Sequence, residues 1–142
     1  MIMKKVLISS ILLMVFILFG CDSKNQEPKQ YCAVTITANS SNDFNVIHVS
    51  VLDENSKIET TSNYLGTYNA PDKGVVNIDF EYICYRCSGF SAKWIPASVS
   101  IPINSVSAMT VELKYGTKRP NTSSHSYVDV YINGALFDSF QK

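Results

Sequence analysis

The chain of 142 residues has no excess of either charge, since 12 lysines and arginines balance 12 aspartates and glutamates. A nucleic-acid-binding protein would carry a basic excess, so this balance argues against that class of partner. Only six glycines and five prolines are present, and 46% of the residues are hydrophobic. Those values exclude a collagen and a disordered chain. The length suits one domain with a sizeable core and is too short for two full-size ones.

Histidines are scarce, and the common catalytic patterns are missing from the sequence. It lacks the G-x-S-x-G turn of serine hydrolases, the H-E-x-x-H zinc motif, the G-x-G-x-x-G fingerprint and the phosphate-binding loop. The two histidines are His48, on the same face of a predicted strand as Phe44 and Val46, and His125, in a polar loop. A packed or rim histidine and a solvated one are the expected roles. We therefore predict that the protein is not an enzyme, and we expect neither a metal nor a cofactor.

Only one long apolar run occurs, and it lies near the start of the chain. Residues 6–19 hold just two polar side chains, both serines. The run is short for a membrane-spanning helix, which needs about 20 apolar residues. It follows the basic pair Lys4 and Lys5 and precedes the small residue Gly20. This order predicts an export signal over residues 1–20.

The run ends in Leu18-Phe19-Gly20-Cys21, which resembles the lipobox of bacterial lipoproteins. In that class a cysteine after a small residue is acylated, with palmitate-type chains, and becomes the mature N-terminus. The resemblance implies that residues 1–20 are removed and that Cys21 anchors the protein to a membrane of the bacterial cell envelope. The mature chain would carry a net charge of −2. Two or three acyl chains would hold it there almost permanently, at about 0.8 kcal/mol per buried CH₂.

A polar segment without any periodicity follows the cysteine. Residues 21–30 are therefore expected to form the lipidated N-terminus and a flexible tether, with a domain over residues 31–142. Asp22 resembles the inner-membrane retention signal of enteric bacteria. The sorting code differs in other phyla, so both the inner and the outer membrane stay open.

From Tyr31 onward the apolar residues recur with a period of two, which is typical of half-buried strands. The strongest pattern covers residues 75–85, and Ile47, Val49 and Val51 form one face of another strand. Further alternation predicts strands over residues 31–38, 99–103, 109–115, 127–132 and 135–140. This spacing predicts an all-β fold, an antiparallel β-sandwich of about seven to nine strands that is Ig-like or transthyretin-like.

Asn133-Gly134, between two of these runs, is a strong signal for a two-residue hairpin turn. Such a turn pairs Ile132 with Ala135 and places Asp129 directly opposite Asp138. Like charges opposite each other are mildly destabilising, so this register carries an internal conflict.

Three cysteines remain once Cys21 is acylated, in a compartment that favours disulfides. Cys32 and Cys84 fall on the apolar faces of their predicted strands, which favours a Cys32–Cys84 disulfide between the two sheets. Cys32–Cys87 and Cys84–Cys87 are the alternatives. Cys84 and Cys87 also have the C-x-x-C spacing of redox and zinc sites, but they end a strand without a βαβ pattern around them.

The most distinctive surface candidate is the segment over residues 85–95, which interleaves aromatic and cationic side chains. Aromatic residues and arginine dominate interface hot spots, and connections between strands often carry function. The predicted binding residues are Tyr85, Arg86, Phe90, Lys93 and Trp94. Residues 115–119 are a second candidate of the same kind.

These features favour a non-catalytic interaction module that docks on another protein of the envelope, such as an accessory subunit of an envelope machine. The alternative is an envelope receptor for a small ligand, glycan or peptide through the 85–95 segment. A thiol or metal enzyme built on Cys84 and Cys87 is the third hypothesis.

Overall fold

The computed structural model describes residues 28–39, 42–89, 91–104, 107–121 and 125–142. The predicted signal, Cys21 and most of the predicted tether lie outside these residues, as does Phe90. Within them the chain forms nine strands, and no helix there could cross a membrane. The strands are β1 (Tyr31–Ala38), β2 (Phe44–Leu52), β3 (Ile58–Ser62), β4 (Gly66–Pro71), β5 (Val75–Ser88), β6 (Ser91–Pro102), β7 (Met109–Gly116), β8 (Tyr127–Ile132) and β9 (Ala135–Gln141).

The strands form two packed sheets, so the predicted β-sandwich is confirmed. One sheet has the order β4-β1-β7-β8-β9 and the other has the order β3-β2-β5-β6. All pairs are antiparallel except β1 and β7, which run parallel. In the constant-type immunoglobulin order the first two strands share a sheet, whereas here β1 and β2 lie in different sheets.

The core lies between the sheets and is built from the predicted apolar faces. Cys32, Val34 and Ile36 of β1 are buried, and the alternating residues of β5 and β7 are buried opposite one another. Aromatic rings close one end of this core, where Phe80 packs edge-on against Phe140 with ring centroids 5.2 Å apart. Edge strand β6 contains Pro102, which suits an edge because proline has no N–H to donate to a further strand.

A β-bulge in β2 corrects two of the predictions for that strand. The pairing with β5 shifts between Val46 and His48, which leaves Ile47 as the extra residue. Ile47 consequently points outward and is 44% exposed, although the alternation had placed it with the buried Val49. His48 also leaves the face of Val46, and its Nδ1 lies 3.7 Å from the Asp79 carboxylate on the outer side. One inserted residue reverses the face of its neighbours because the side-chain period is two.

A second bulge resolves the conflict in the β8–β9 hairpin. The turn pairs Ile132 with Ala135 as predicted, but the register shifts between Val130 and Tyr131. Asp129 therefore lies opposite Ser139 and not opposite Asp138, so the predicted register was wrong beyond the turn. The shift removes the like-charge pair, and the Ser139 hydroxyl donates to the Asp129 carboxylate over 2.6 Å.

The strand directions give the sandwich two distinct ends. β1 begins at Tyr31 beside the last residue of β4. The start of β5 and the turn between β8 and β9 also lie at this end, which we call the entry end. The connections that follow β1, β3, β5 and β7 lie at the other end, which we call the hairpin end. The two ends are joined by strands of up to 14 residues, which span about 45 Å at 3.3 Å per residue.

Candidate functional site

The β5–β6 hairpin extends beyond the rest of its sheet at the hairpin end. β2 pairs with β5 only as far as Tyr82, and the Ile83 amide then donates to the Asp43 carbonyl over 2.8 Å. Beyond that point, within the described part of the chain, β5 pairs with β6 alone. We call residues 83–94 the projecting hairpin. The first four residues of β6, which belong to this hairpin, alone reach about 13 Å at 3.3 Å each.

Much of the segment that the sequence suggested as a connection is thus part of two long strands. The signal for this was present, because Ala97 and Ile95 continue the alternation of Val99 towards the turn. The predicted strand began at residue 99, since Pro96 and the polar residues before it interrupt the alternation of apolar side chains. The observed strand begins at Ser91.

A large bulge in β5 shapes the tip of the hairpin. Between the pairs Cys84–Lys93 and Ser88–Ser91, three residues of β5 stand opposite Ala92 alone. Arg86 in this bulge has a φ of +74°, in the left-handed region that non-glycine residues seldom adopt. This turn of the backbone brings the Cα atoms of Cys84 and Cys87 to 5.5 Å, and the two cysteines form a disulfide.

The favoured Cys32–Cys84 pairing was therefore wrong, and one of the two alternatives is observed. A regular strand would have directed Cys84 and Cys87 to different faces, but the bulge breaks that register. Cys32 is a free, fully buried thiol in β1 that donates to the Ser107 carbonyl over 2.6 Å. Burial raises the pKa of the Cys32 thiol, which keeps it protonated and unreactive.

The outer face of the projecting hairpin carries the exposed apolar side chains. Trp94 pairs directly with Ile83, and Pro96 follows two residues later on the same face. Trp94 is 40% exposed and Tyr85 is 41% exposed, so neither ring is used to fill the core. The structure thus brings two of the predicted binding residues to an exposed surface. The predicted role of Phe90 stays a prediction, because that residue lies outside the described part of the chain.

Hydrogen bonds hold the base of the projecting hairpin against the sandwich. The Tyr85 hydroxyl donates to the Asp43 carboxylate, and this bond raises the pKa of Tyr85. From the opposite sheet, the Tyr115 hydroxyl donates to the Ile83 carbonyl over 3.0 Å. Burial raises the pKa of Tyr115 as well. The hairpin is therefore anchored at its base to both sheets.

The two predicted cations of this site, Arg86 and Lys93, are both exposed at the tip. Lys93 pairs with Cys84 and points to the inner side of the hairpin, whereas Trp94 points to the outer side. The cations therefore flank the aromatic face and do not lie among its rings. Asp43 and Ile83 were missed in the sequence. Ile83 has a detectable signal, because it falls out of phase with the buried Tyr82 and Cys84 in a strand that alternates strictly.

The second candidate segment, residues 115–119, has a structural role. Arg119 folds back over the outer face of β8, where its guanidinium contacts the Asp129 carboxylate and donates to the Ser139 hydroxyl over 2.9 Å. The guanidinium carbon also lies 4.5 Å from the centre of the Tyr127 ring. These contacts use Arg119 within the chain, so this residue is not a candidate for binding a partner.

A pocket of about 530 Å³ lies at the entry end, lined by residues 28–30, 53–55 and 71–73. Its most buried polar group is the Asp53 carboxylate, which accepts hydrogen bonds of 2.9 Å from the amides of Asn55 and Lys57. The bond from Lys57 lowers the pKa of Asp53. The carboxylate thus fixes the β2–β3 turn, and the chemistry of this pocket is explained by the turn alone.

Among the described residues, no three histidine, cysteine, aspartate or glutamate side chains lie close enough together to hold a metal ion. Comparison with protein-family models, with curated proteins and with solved structures gave no match.

Proposed function

We propose that this protein is a lipid-anchored component of the bacterial cell envelope whose β-sandwich is a non-catalytic protein-interaction module. In this proposal Cys21 carries the anchor, and the projecting hairpin is the element that contacts an envelope partner. The observation that carries the proposal is the position of the exposed Trp94 and Tyr85 rings. They lie on a hairpin that extends past its own sheet, at the end opposite to the entry of the chain.

The two ends of the sandwich suit a membrane-anchored docking protein. The polar segment after Cys21 can reach roughly 30 Å when extended, and it enters the sandwich at Tyr31. A strand of 14 residues then separates the entry end from Ser88 at the tip of the hairpin. An anchor at Cys21 would leave the hairpin free to point away from the membrane surface.

The residue types on the hairpin also suit a protein interface. Tryptophan, tyrosine and arginine are the residues most enriched at interface hot spots. The disulfide and the hydrogen bonds at the base hold these residues in place before binding, which lowers the entropy cost of association. The Ile83 and Pro96 side chains widen the apolar contact around Trp94.

Site-specific photocrosslinking in the native envelope tests this proposal. A photoreactive phenylalanine analogue placed at Trp94 should form a reproducible crosslink to one envelope protein. The same analogue at Ser100 is the matched control, because Ser100 is also exposed on the outer face of β6 but lies near the entry end. Equal labelling from both positions, or self-links alone, would contradict the proposal and favour the receptor hypothesis.

Truncation of the tryptophan separates binding from folding. Trp94→Ala should reduce capture of that partner by more than tenfold, which corresponds to a hot-spot loss above about 1.4 kcal/mol. Its free energy of unfolding should stay within about 0.5 kcal/mol of the wild type, because the side chain lies at the surface. A urea titration of both proteins provides the second value, and Ser100→Ala is the control for both measurements.

A further inference from the structure

The hairpin end carries four cations that form no ion pair with a described carboxylate. Arg86 and Lys93 belong to the projecting hairpin, Lys118 follows β7, and Lys142 lies beside the start of β8, where its amide donates to the Ser126 carbonyl. All four side chains are exposed. No carboxylate of the described residues lies within 4.0 Å of any of them, in contrast to Arg119, which directly follows Lys118 in the β7–β8 connection.

Acidic side chains are nearly missing from this end. Among the described residues of the connections at this end, Asp43 is the one acid. Its carboxylate already accepts a hydrogen bond from the Tyr85 hydroxyl. The residues of these connections outside the described ranges, at positions 40–41, 90 and 122–124, are serine, phenylalanine and threonine, which add no charge. Glu81 lies opposite Pro96 on the same outer face, at the base of the hairpin, whereas Arg86 and Lys93 lie toward its tip. The hairpin end is therefore basic, although the chain as a whole is neutral.

The entry end does not share this imbalance. Its three lysines are accompanied by four acids, and Lys29 forms an ion pair of 3.0 Å with Glu59. The seven residues are Lys29, Lys57, Lys73, Asp53, Glu54, Glu59 and Asp72. A charge separated in this way along one small domain steers the approach of a partner to one end of the molecule.

We infer that the partner of the projecting hairpin is a protein that presents an acidic surface around an apolar pocket. This inference rests on the proposed function and names the chemistry of its partner. Trp94 and Ile83 would fill the pocket, while Arg86 and Lys93 would face carboxylates at its rim. Complementary charges of this kind raise the association rate and select the partner.

The apolar contact distinguishes a protein partner from other anionic surfaces. Interfaces between proteins combine an apolar centre with a polar rim, which is the arrangement of Trp94, Ile83 and Pro96 beside the two cations. An anionic polysaccharide would use the cations more than the aliphatic Ile83. The membrane that would hold the anchor is the less favoured anionic surface, because the cations lie at the end opposite to the entry of the chain.

Binding of poly-L-glutamate to the purified full-length protein is the first arm of the test. Arg86→Glu and Lys93→Glu should each weaken this binding by about fivefold at low ionic strength. Lys73→Glu is the matched control, since it makes the same change of charge on an exposed lysine at the entry end and should leave the affinity unchanged. No binding by the wild type, or equal loss in all three variants, would overturn the inference.

Dextran sulfate, an anionic polysaccharide, is the comparison probe of the same arm. We expect Trp94→Ala to leave its binding unchanged. Binding of dextran sulfate that is tighter than that of poly-L-glutamate and depends on Trp94 would overturn the assignment of a protein partner.

The second arm repeats the photocrosslinking from Trp94 in the native envelope with each charge variant. The crosslinking yield should fall about fivefold with Lys93→Glu and remain unchanged with Lys73→Glu. The crosslinked site on the partner should lie in a peptide rich in aspartate or glutamate. An unchanged yield with Lys93→Glu would overturn the acidic partner and leave the proposed docking function intact. A Trp94 probe that links no protein would instead contradict the proposed function itself.

Discussion

The two ends of this sandwich use their characteristic side chains for different purposes. At the entry end the carboxylate of Asp53 accepts two backbone amides, and Gly74 packs against the backbone of Leu52 and Pro71. At the hairpin end the rings of Tyr85 and Trp94 are about two-fifths exposed. Polar groups at the entry end are thus used within the fold, whereas aromatic and cationic groups at the hairpin end are left at the surface.

This difference separates residues that maintain the fold from residues that are available to a partner. A change at the entry end should lower stability, since it breaks packing or hydrogen bonds inside the chain. A change at the hairpin end should alter binding with little effect on stability. The predictions below test that division, from the largest expected effect on stability to the smallest.

Gly74→Ala should give the largest loss of stability. A Cβ atom at this position would lie 2.4 Å from the Leu52 carbonyl oxygen and 3.1 Å from that of Pro71, so the backbone would have to move. We expect a loss of about 2 kcal/mol, in the range of other overpacked sites. Gly66→Ala is the control, because a Cβ atom there has no neighbour within 4 Å and should leave stability unchanged. Equal urea midpoints for the two variants would contradict the packing argument.

Removal of the Cys84–Cys87 disulfide should have a smaller effect. A closed loop of about four residues is worth at most about 2 kcal/mol in the chain-entropy account. The bridge lies in the projecting hairpin, so the freed tip regains part of that entropy in the folded state. We therefore expect Cys84→Ala with Cys87→Ala to cost about 1 kcal/mol. Hydrogen exchange should increase in residues 83–94 and stay unchanged in β1.

A reducing agent supplies the matched control for the disulfide. It should change the hydrogen exchange of the wild type towards that of the double variant and leave the double variant itself unchanged. A double variant that loses protection throughout the sandwich would show that the hairpin end is part of the global folding unit.

Asp53→Asn should produce the smallest change, and one that depends on pH. The folded pKa of Asp53 lies below its usual value, so its ionised form stabilises the fold above about pH 4. That contribution is lost as the pH falls through the folded pKa. The wild type should therefore be more stable than the variant at neutral pH, and the difference should vanish in acid. Glu54→Gln, an exposed neighbour, is the control in a pH series of thermal melts; a difference that persists in acid would contradict the charge argument.

Alternation predicted the buried strands well and the exposed ones poorly. The faces of β1, β5 and β7 were predicted correctly, because burial on one side imposes a period of two. β3 and β4 were not predicted. Four of the five residues of β3 are exposed, so burial gives that strand no sequence pattern. Its position follows from hydrogen bonds to β2, which the order of side chains does not record.

The candidate site was predicted in composition but not in shape. Tyr85, Arg86, Lys93 and Trp94 were identified from their residue types, and all four are exposed in the hairpin. Lys118 belongs to the second candidate segment, and no local pattern marks Asp43. Both lie in other connections at the hairpin end, so their position relative to the hairpin depends on the strand order.

The sequence by itself determined the fold class, the core faces of the main strands and the turn at Asn133-Gly134, because each is a local consequence of side-chain burial or backbone preference. Only the tertiary structure decided the pairing of Cys84 with Cys87, the outward face of Ile47 and the register of Asp129. All three depend on bulges, in which an inserted residue is accommodated by the neighbouring strand. The separation of a basic hairpin end from an entry end without a basic excess also belongs to the tertiary structure, since it arises from the direction in which each strand crosses the sandwich.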